Sequence, residues 1–575
     1  MRERVIALLA ALVVVAAGCA GVGGPDAAEN GNGIGNGVAA GNGNGAAGTG
    51  DVGLAAGGAQ DATAFRNNVR EGYVPQPTDM TVEGLFHDYY FDTGTTEECR
   101  QLFCPSYSRA VSTDPLSNET ERYLTVGLNS GLSESDFERK KLNLVVVLDT
   151  SGSMSSAFDE YYYDDGERRT VEDRTAKMAA ARDAVVTLTE HLEDDDRFGM
   201  VTYDDDAQTV QPIRRVGETD VPNLRDRVRG LEASGGTNLD AGMDEATSML
   251  DPYRDANQSE YETRVIYVTD AMPNLGDASK GGLGGKLDSA ASDGIHSTFV
   301  GVGVDFNTEL VESINEVPGA NYYTVHSPSQ FEERMDEGFD YMVTPLVFDL
   351  SLSVESEGYE IAQVYGAPGG DETTGQLMEV ATLFPSRTEG NRTEGGVVLV
   401  ELRKVGENDS LRLTTSYETR TGESRQSTRT VQFGDQEPPY YGSSGVRKAV
   451  VLSRYADLMR NWAAYERART DGQAEEPPGG IEHRSDLGGW EQESMDLRVS
   501  PPYGERIERF ESYFEAEQRA LGADRMDRDT EMLDVLLTEA GRGGTVTTTS
   551  RGDGPGNATA TGGNAGNATT TAGNG

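Results

Sequence analysis

From Leu142 to Met342 the chain alternates short apolar runs with helix-patterned segments, and this alternation constrains the fold more than any other feature. Leu142-Asn-Leu-Val-Val-Val-Leu148 is a near-continuous apolar run, the pattern of a parallel strand buried on both faces. Ala176–Leu192 then carries Met178, Ala181, Val185, Leu188 and Leu192 at helical spacing. Strands are expected at Phe198–Tyr203, Val265–Thr269 and Ser297–Val304. Helices are expected at Asn238–Leu250, around Lys286–Ala291, at Thr308–Ile314 and at Gln330–Met342. Strand–helix alternation of this length predicts a doubly wound, mostly parallel α/β sheet, in which ligands sit beyond the carboxyl ends of the strands.

Oxygen-bearing side chains fall at those carboxyl ends. Asp149-Thr-Ser151-Gly-Ser153 follows the first strand, Thr237 follows the Gly235-Gly236 turn and opens a helix, and Asp270 follows Val265–Thr269. Hard divalent cations take oxygen ligands, and Mg2+ prefers a compact octahedron that keeps several waters. These three loops, in this order, resemble the von Willebrand factor type A domain with a complete metal-ion-dependent adhesion site. The resemblance implies that Ser151 and Ser153 donate hydroxyl oxygens directly to the metal. Thr237 would bind directly or through water, and Asp149 and Asp270 mostly through water. It implies Mg2+ as the ion, with Mn2+ or Ca2+ as alternatives, and a position left open for an Asp or Glu carboxylate of a protein partner. The sequence departs from the usual pattern at Phe158–Arg174, an insertion containing Tyr161, Tyr162 and Tyr163 that is expected at the rim of the site. Clustered tyrosines suit a binding loop, and a solvated acidic loop is the other reading.

The flanks divide by composition. Residues 1–19 read as an export signal whose end, Ala16-Ala17-Gly18-Cys19, resembles a lipobox with Cys19 as the acylated residue. Residues 20–65 are expected to be a Gly/Asn-rich tether, spanning roughly 35 Å over its first 40 residues as a flexible coil. Residues 66–140 are a mixed, Tyr-rich segment expected to pack with a β-sandwich over 346–436. The α/β domain takes 141–345, a helical region 437–540, and a disordered Gly/Asn/Thr-rich tail 541–575. The α/β domain is thus inserted in, or followed by, the sandwich. Strands are expected at Arg122–Leu128, Leu346–Val354, Val397–Leu402, Leu411–Tyr417 and Thr428–Phe433. Val451, Tyr455, Leu458, Trp462 and Tyr465 mark an amphipathic helix. This order of segments is similar to secreted prokaryotic proteins carrying the type A domain and, at greater distance, to inter-alpha-trypsin inhibitor heavy chains.

Charge sets the partners and the surroundings. Ninety-seven Asp+Glu face 49 Lys+Arg, of which seven are Lys, for a net charge of −48. A chain so acidic repels nucleic acid, and its acidic, Lys-poor surface suits a halophile, with an ordinary acidic extracellular protein as the alternative. With the lipobox, this points to a haloarchaeal lipoprotein on the extracellular face of the cell membrane, held there by a lipid anchor only. Plain secretion is the alternative. Cys99 and Cys104, with four residues between them, read as a local disulfide in an oxidising compartment, with free thiols as the alternative.

Catalysis finds little support. The five histidines are scattered, and the chain has no HExxH, G-x-S-x-G or P-loop. The expectation is therefore a non-enzymatic, Mg2+-dependent adhesion or scaffold module. A substrate-gripping subunit of an ATP-driven chelatase or chaperone is the alternative, and a metal-dependent hydrolase a third.

Overall fold

The structure is a computed structural model, and it describes residues 52–94, 99–158, 175–254, 259–270, 280–304, 314, 317–367, 377–434, 436–470, 476–483 and 494–543. Cys19 and the Tyr161–Tyr163 cluster lie outside the described residues, as do most of Thr308–Ile314 and of the tail. Among the described residues no helix is long and apolar enough to cross a membrane.

A seven-stranded sheet runs in the order Gly58–Ala59, Asn321–Val325, Ile295–Val302, Tyr261–Thr269, Lys141–Asp149, Arg197–Tyr203, Ala207–Arg215. All neighbours pair parallel except the last, which closes the edge antiparallel. The apolar run of the central strand is explained by two cores. Leu144, Val146 and Leu148 face one, with helices Lys177–Leu188, Val221–Arg229 and Pro328–Met335. Val145 and Val147 face the other, with helices Leu239–Leu250 and Lys280–Ser292. Alternate side chains of a strand point to opposite faces, so a strand with a helical layer on each side has no polar face to show. The single helix expected over Gln330–Met342 is broken at Gly338 into Pro328–Met335 and Phe339–Met342.

The chain on both sides of this domain builds one β-sandwich. One sheet has the order Gly53–Ala56, Leu377–Ser386, Val347–Glu355, Ser410–Thr419, Ser424–Gln432. The other runs Tyr359–Tyr365, Val397–Lys404, Thr120–Asn129, Cys104–Thr113, Tyr440–Tyr441. Leu124, Val126, Leu352, Val380, Val400 and Leu413 fill the space between them. The α/β domain is therefore inserted between two sandwich strands, Thr120–Asn129 and Val347–Glu355.

The third layer is helical. Ser444–Thr470 is buried along most of its circumference from Val446 to Ala463, not on a single stripe. It packs with Pro501–Leu521, Asp527–Gly543 and two helices from the front of the chain, Thr63–Glu71 and Val82–His87. Residues 66–140 thus divide, their helices joining the C-terminal helices and their strands joining the sandwich.

The reading of 20–65 as a tether gives way over its last dozen residues. Gly53–Ala56 pairs antiparallel with Leu383–Ser386, and Gly58–Ala59 adds an edge strand beside Asn321–Tyr322. Every residue from Val52 to Ala62 is buried. Small side chains are what the packing admits: a Cβ on Gly53 would lie 2.2 Å from Thr393 Cγ2. Linker-like composition here is tight packing.

Candidate functional site

Three loops at the carboxyl ends of the parallel strands converge. Asp149 closes its strand fully buried, and its Oδ1 accepts the Ser151 backbone N–H at 2.8 Å. Its Oδ2 accepts from Thr269 Oγ1 at 2.6 Å and from Tyr203 OH at 2.9 Å, and those two hydroxyls lie 2.8 Å apart. Burial pushes the Asp149 carboxyl up from its ordinary range, and these hydrogen bonds oppose the shift. Tyr203 is pushed well up, by burial first and then by the Asp149 charge.

Ser151 and Ser153 stand on the tight turn Gly152–Ser155, both buried, with their hydroxyl oxygens 2.9 Å apart. Ser153 Oγ donates to Asp270 Oδ1 at 3.0 Å. Lys177, the first residue of its helix and wholly buried, brings Nζ to 3.3 Å from Asp270 Oδ2.

The Thr237 loop is tied through its backbone to the Asp149–Ser153 loop and to the turn at Asp204–Asp205. Ser234 N–H donates to the Thr150 carbonyl at 2.7 Å, and Gly152 N–H donates to the Gly235 carbonyl at 3.1 Å. Gly236 N–H reaches Asp205 Oδ1 at 2.9 Å, and Asn238 N–H reaches the Asp204 carbonyl at 2.8 Å. Gly235 has φ +80°, which only a residue without a side chain adopts freely. Thr237 is held there at 3% exposure.

The structure thus brings Asp149, Ser151, Ser153 and Asp270 into one hydrogen-bonded set, with Thr237 on the loop stitched to it. The two ends of the insertion meet beside them. Ala157 bridges Ala176, and the Phe158 carbonyl accepts Val304 N–H at 3.2 Å. Cys99 and Cys104 form a disulfide at the sandwich, Cα–Cα 5.9 Å, remote in the fold from these loops.

Sequence reasoning missed Lys177, Tyr203, Thr269 and His326. Each sits at a strand end or helix start, and only position relative to Asp149 and Asp270 distinguishes it. His326 follows the strand Asn321–Val325. Burial, helped by the Lys177 ammonium, pushes it down to about 3, so its imidazole is neutral.

The donor set fits a hard divalent cation. An octahedral ion with Mg–O distances of about 2.1 Å has ligand oxygens roughly 3.0 Å apart along each edge. The Ser151–Ser153 and Ser153–Asp270 oxygen pairs, at 2.9 and 3.0 Å, have that spacing. Among the described residues no three His, Cys, Asp or Glu side chains gather to hold a metal ion, so a cation here would rest on the serine and threonine hydroxyls beside single carboxylates.

Comparison with known proteins finds likeness over the domain that carries these loops. Residues 144–272 match the family model of the von Willebrand factor type A domain. Inter-alpha-trypsin inhibitor heavy chain H4 of Bos taurus is 23% identical over 225 residues, 38% of this chain and 22% of that one. The uncharacterized protein YfbK of Escherichia coli is 22% identical over 299 residues, 50% of this chain and 47% of that one. The chain thus spans about a fifth to a half of the length of these relatives. Among solved structures, a von Willebrand factor type A protein from Catenulispora acidiphila is similar at 15% identity and TM-score 0.45. The match covers 77% of this chain and 91% of that one.

Proposed function

Starting from a von Willebrand factor type A domain whose site loops converge, we propose an extracellular, membrane-tethered adhesion or scaffold module. It captures a carboxylate of a partner protein at a bound Mg2+, with Mn2+ or Ca2+ as substitutes. The observation that carries this reading is the buried chain of oxygens from Ser151 through Ser153 to Asp270 at the carboxyl ends of the strands, which would hold the ion directly through the hydroxyls and through water at the carboxylate. A bound Mg2+ would supply a Lewis-acidic position for an anionic oxygen.

The chain's own residues supply the rest. Ser151 and Ser153 offer neutral hydroxyls, which leave the ion's charge largely uncompensated. Asp149 is fixed by Tyr203 and Thr269, so it orients the Ser151 turn through the backbone N–H instead of swinging to the ion. Asp149, Asp270 and Lys177 together carry one net negative charge, and a divalent ion turns that to one net positive. The site then attracts one carboxylate and no polyvalent cation.

The tether, the lipid anchor at Cys19 and the haloarchaeal setting belong to the same proposal. They are supported by the lipobox-like end, the Gly/Asn-rich stretch up to residue 51, and a net charge of −48. Binding without turnover is the role we assign to Ser151. Its hydroxyl faces Ser153 and, among the described residues, no histidine.

Capture from an envelope extract at molar salt tests the proposal, comparing the full chain with Mg2+, with chelator, and as Asp270→Ala. A protein retained only by the Mg2+-loaded wild type supports it. Retention indifferent to metal and to the substitution contradicts it.

A further inference from the structure

Where the α/β domain, the sandwich and the helical layer meet, a cavity of about 190 Å3 is lined by four arginines. Arg334 comes from the α/β domain's Pro328–Met335 helix, Arg387 from the sandwich, and Arg525 and Arg528 from the start of the last helical segment. In a chain with twice as many acids as bases, four guanidiniums from three layers around one space run against the composition. Asp88, Glu333 and Glu394 also line it.

The charges there are unevenly matched. Asp88 is engaged by Arg66 at 2.5 Å and by Arg528 at 3.6 Å, and Arg528 also lies over the Tyr89 ring, 4.6 Å from its centre. Arg334 has Asp61 at 3.5 Å and the Tyr323 ring beneath it at 5.1 Å. Those two are positioned by their partners. The other two have looser partners. Arg387 pairs with Glu337 at 3.8 Å, itself 72% exposed, and its charge also acts on Glu394. Arg525 is steadied over the Tyr90 ring at 4.7 Å, and among the described residues no carboxylate comes within 4.0 Å of it. Burial raises the Glu394 carboxyl from its ordinary range, and the charges of Arg387, Arg334 and Arg525, which it faces, oppose that shift.

We propose that this cavity binds a small multivalent oxyanion, of the phosphate, sulfate or polycarboxylate class, and that the anion clamps the three layers together. Guanidinium forks match such oxygens two at a time. A space of this size admits a small organic polyanion and is too small for a folded partner. The site is separate from the metal loops, so it stands whether or not the Mg2+ reading does.

The test is thermal unfolding and calorimetry of the full chain in metal-free buffer with chelator. Phosphate, sulfate and tricarballylate form separate arms, each matched in ionic strength by chloride. We expect a saturable rise in Tm of several degrees over chloride in at least one arm, which also identifies the class. Arg387 and Arg525 are exposed, so the double variant Arg387→Gln, Arg525→Gln is expected to keep the wild-type Tm in chloride and to lose about tenfold or more in affinity. No saturable rise in any arm, or the same rise and affinity in the variant, overturns the proposal.

Discussion

At the scale of single residues, the account rests on how Asp149 and Asp270 are held. Asp149 is fixed by hydroxyls, whereas Asp270 shares its charge with the buried Lys177 ammonium at 3.3 Å. Lys177→Met removes an ammonium that competes with the ion for Asp270. It is expected to lower the Tm of the metal-free protein and to tighten Mg2+ binding about tenfold, read by calorimetry. Unchanged affinity would show that Lys177 is remote from the ion electrostatically. A second residue-level prediction concerns Glu401, pushed up to about 7 by burial first and by the Glu121 charge. A carboxyl whose folded pKa is raised stabilises fully below its unfolded value of about 4.3, and that contribution is lost as pH rises through about 7. Glu401→Gln keeps an acceptor for Tyr365 OH, now at 3.1 Å. It should raise stability at pH 8 by roughly 1–3 kcal/mol and leave pH 4 almost unchanged, in denaturant unfolding at both values.

Elements show why part of the site was legible and part was not. The strand Lys141–Asp149 announces itself because two helical layers require an unbroken apolar run, and the residues just after such strands are site residues by topology. Asp149, Ser151, Ser153 and Asp270 were placed at strand ends for that reason, whereas Thr237 follows the helix Val221–Arg229 and its role, like theirs as ligands, came from the family resemblance. Tyr203 was not readable, because the last residue of a buried strand is ordinarily core. Its role depends on a close approach by the helix Leu239–Leu250, which Gly242 permits. A Cβ there would lie 2.8 Å from Tyr203 Cδ1 and 3.2 Å from Val147 Cγ1. Gly242→Ala is therefore expected to cost about 1–3 kcal/mol and to weaken Mg2+ binding by displacing the Tyr203 hydroxyl from Asp149. Loss of stability with metal affinity intact would detach Tyr203 from the site. The strand Gly53–Ala56 was unreadable for the opposite reason: its Gly and Ala match a linker in composition, and only the close packing against Thr393 shows otherwise.

At the scale of the whole molecule, the α/β domain is bound into the sandwich at the edge opposite the metal loops. Glu262, near the start of its strand, accepts from Arg264 at 2.9 Å and pairs with His296 at 2.7 Å, all three lying on neighbouring parallel strands. Arg264 sits over the Phe384 ring of the sandwich at 5.7 Å, and His296 stacks on Phe348 at 5.6 Å. The layers are joined by a desolvated polar network and two aromatic contacts. Arg264→Ala leaves Glu262 without its guanidinium and is expected to cost about 3–5 kcal/mol, seen as a fall in Tm of the full chain. The sequence carried the order of these layers but not their joint, since Glu262, Arg264 and His296 look like ordinary strand-edge polar residues until the sandwich covers them.

The central claim is that these loops hold one divalent cation. It is tested most directly by calorimetric titration of Mg2+ into the full chain at fixed molar salt, alongside Ser151→Ala and Asp270→Ala. One saturable site per chain in the wild type, absent from both folded variants, is the result predicted. A wild type that takes up no Mg2+, or variants that bind it equally well, would contradict the account.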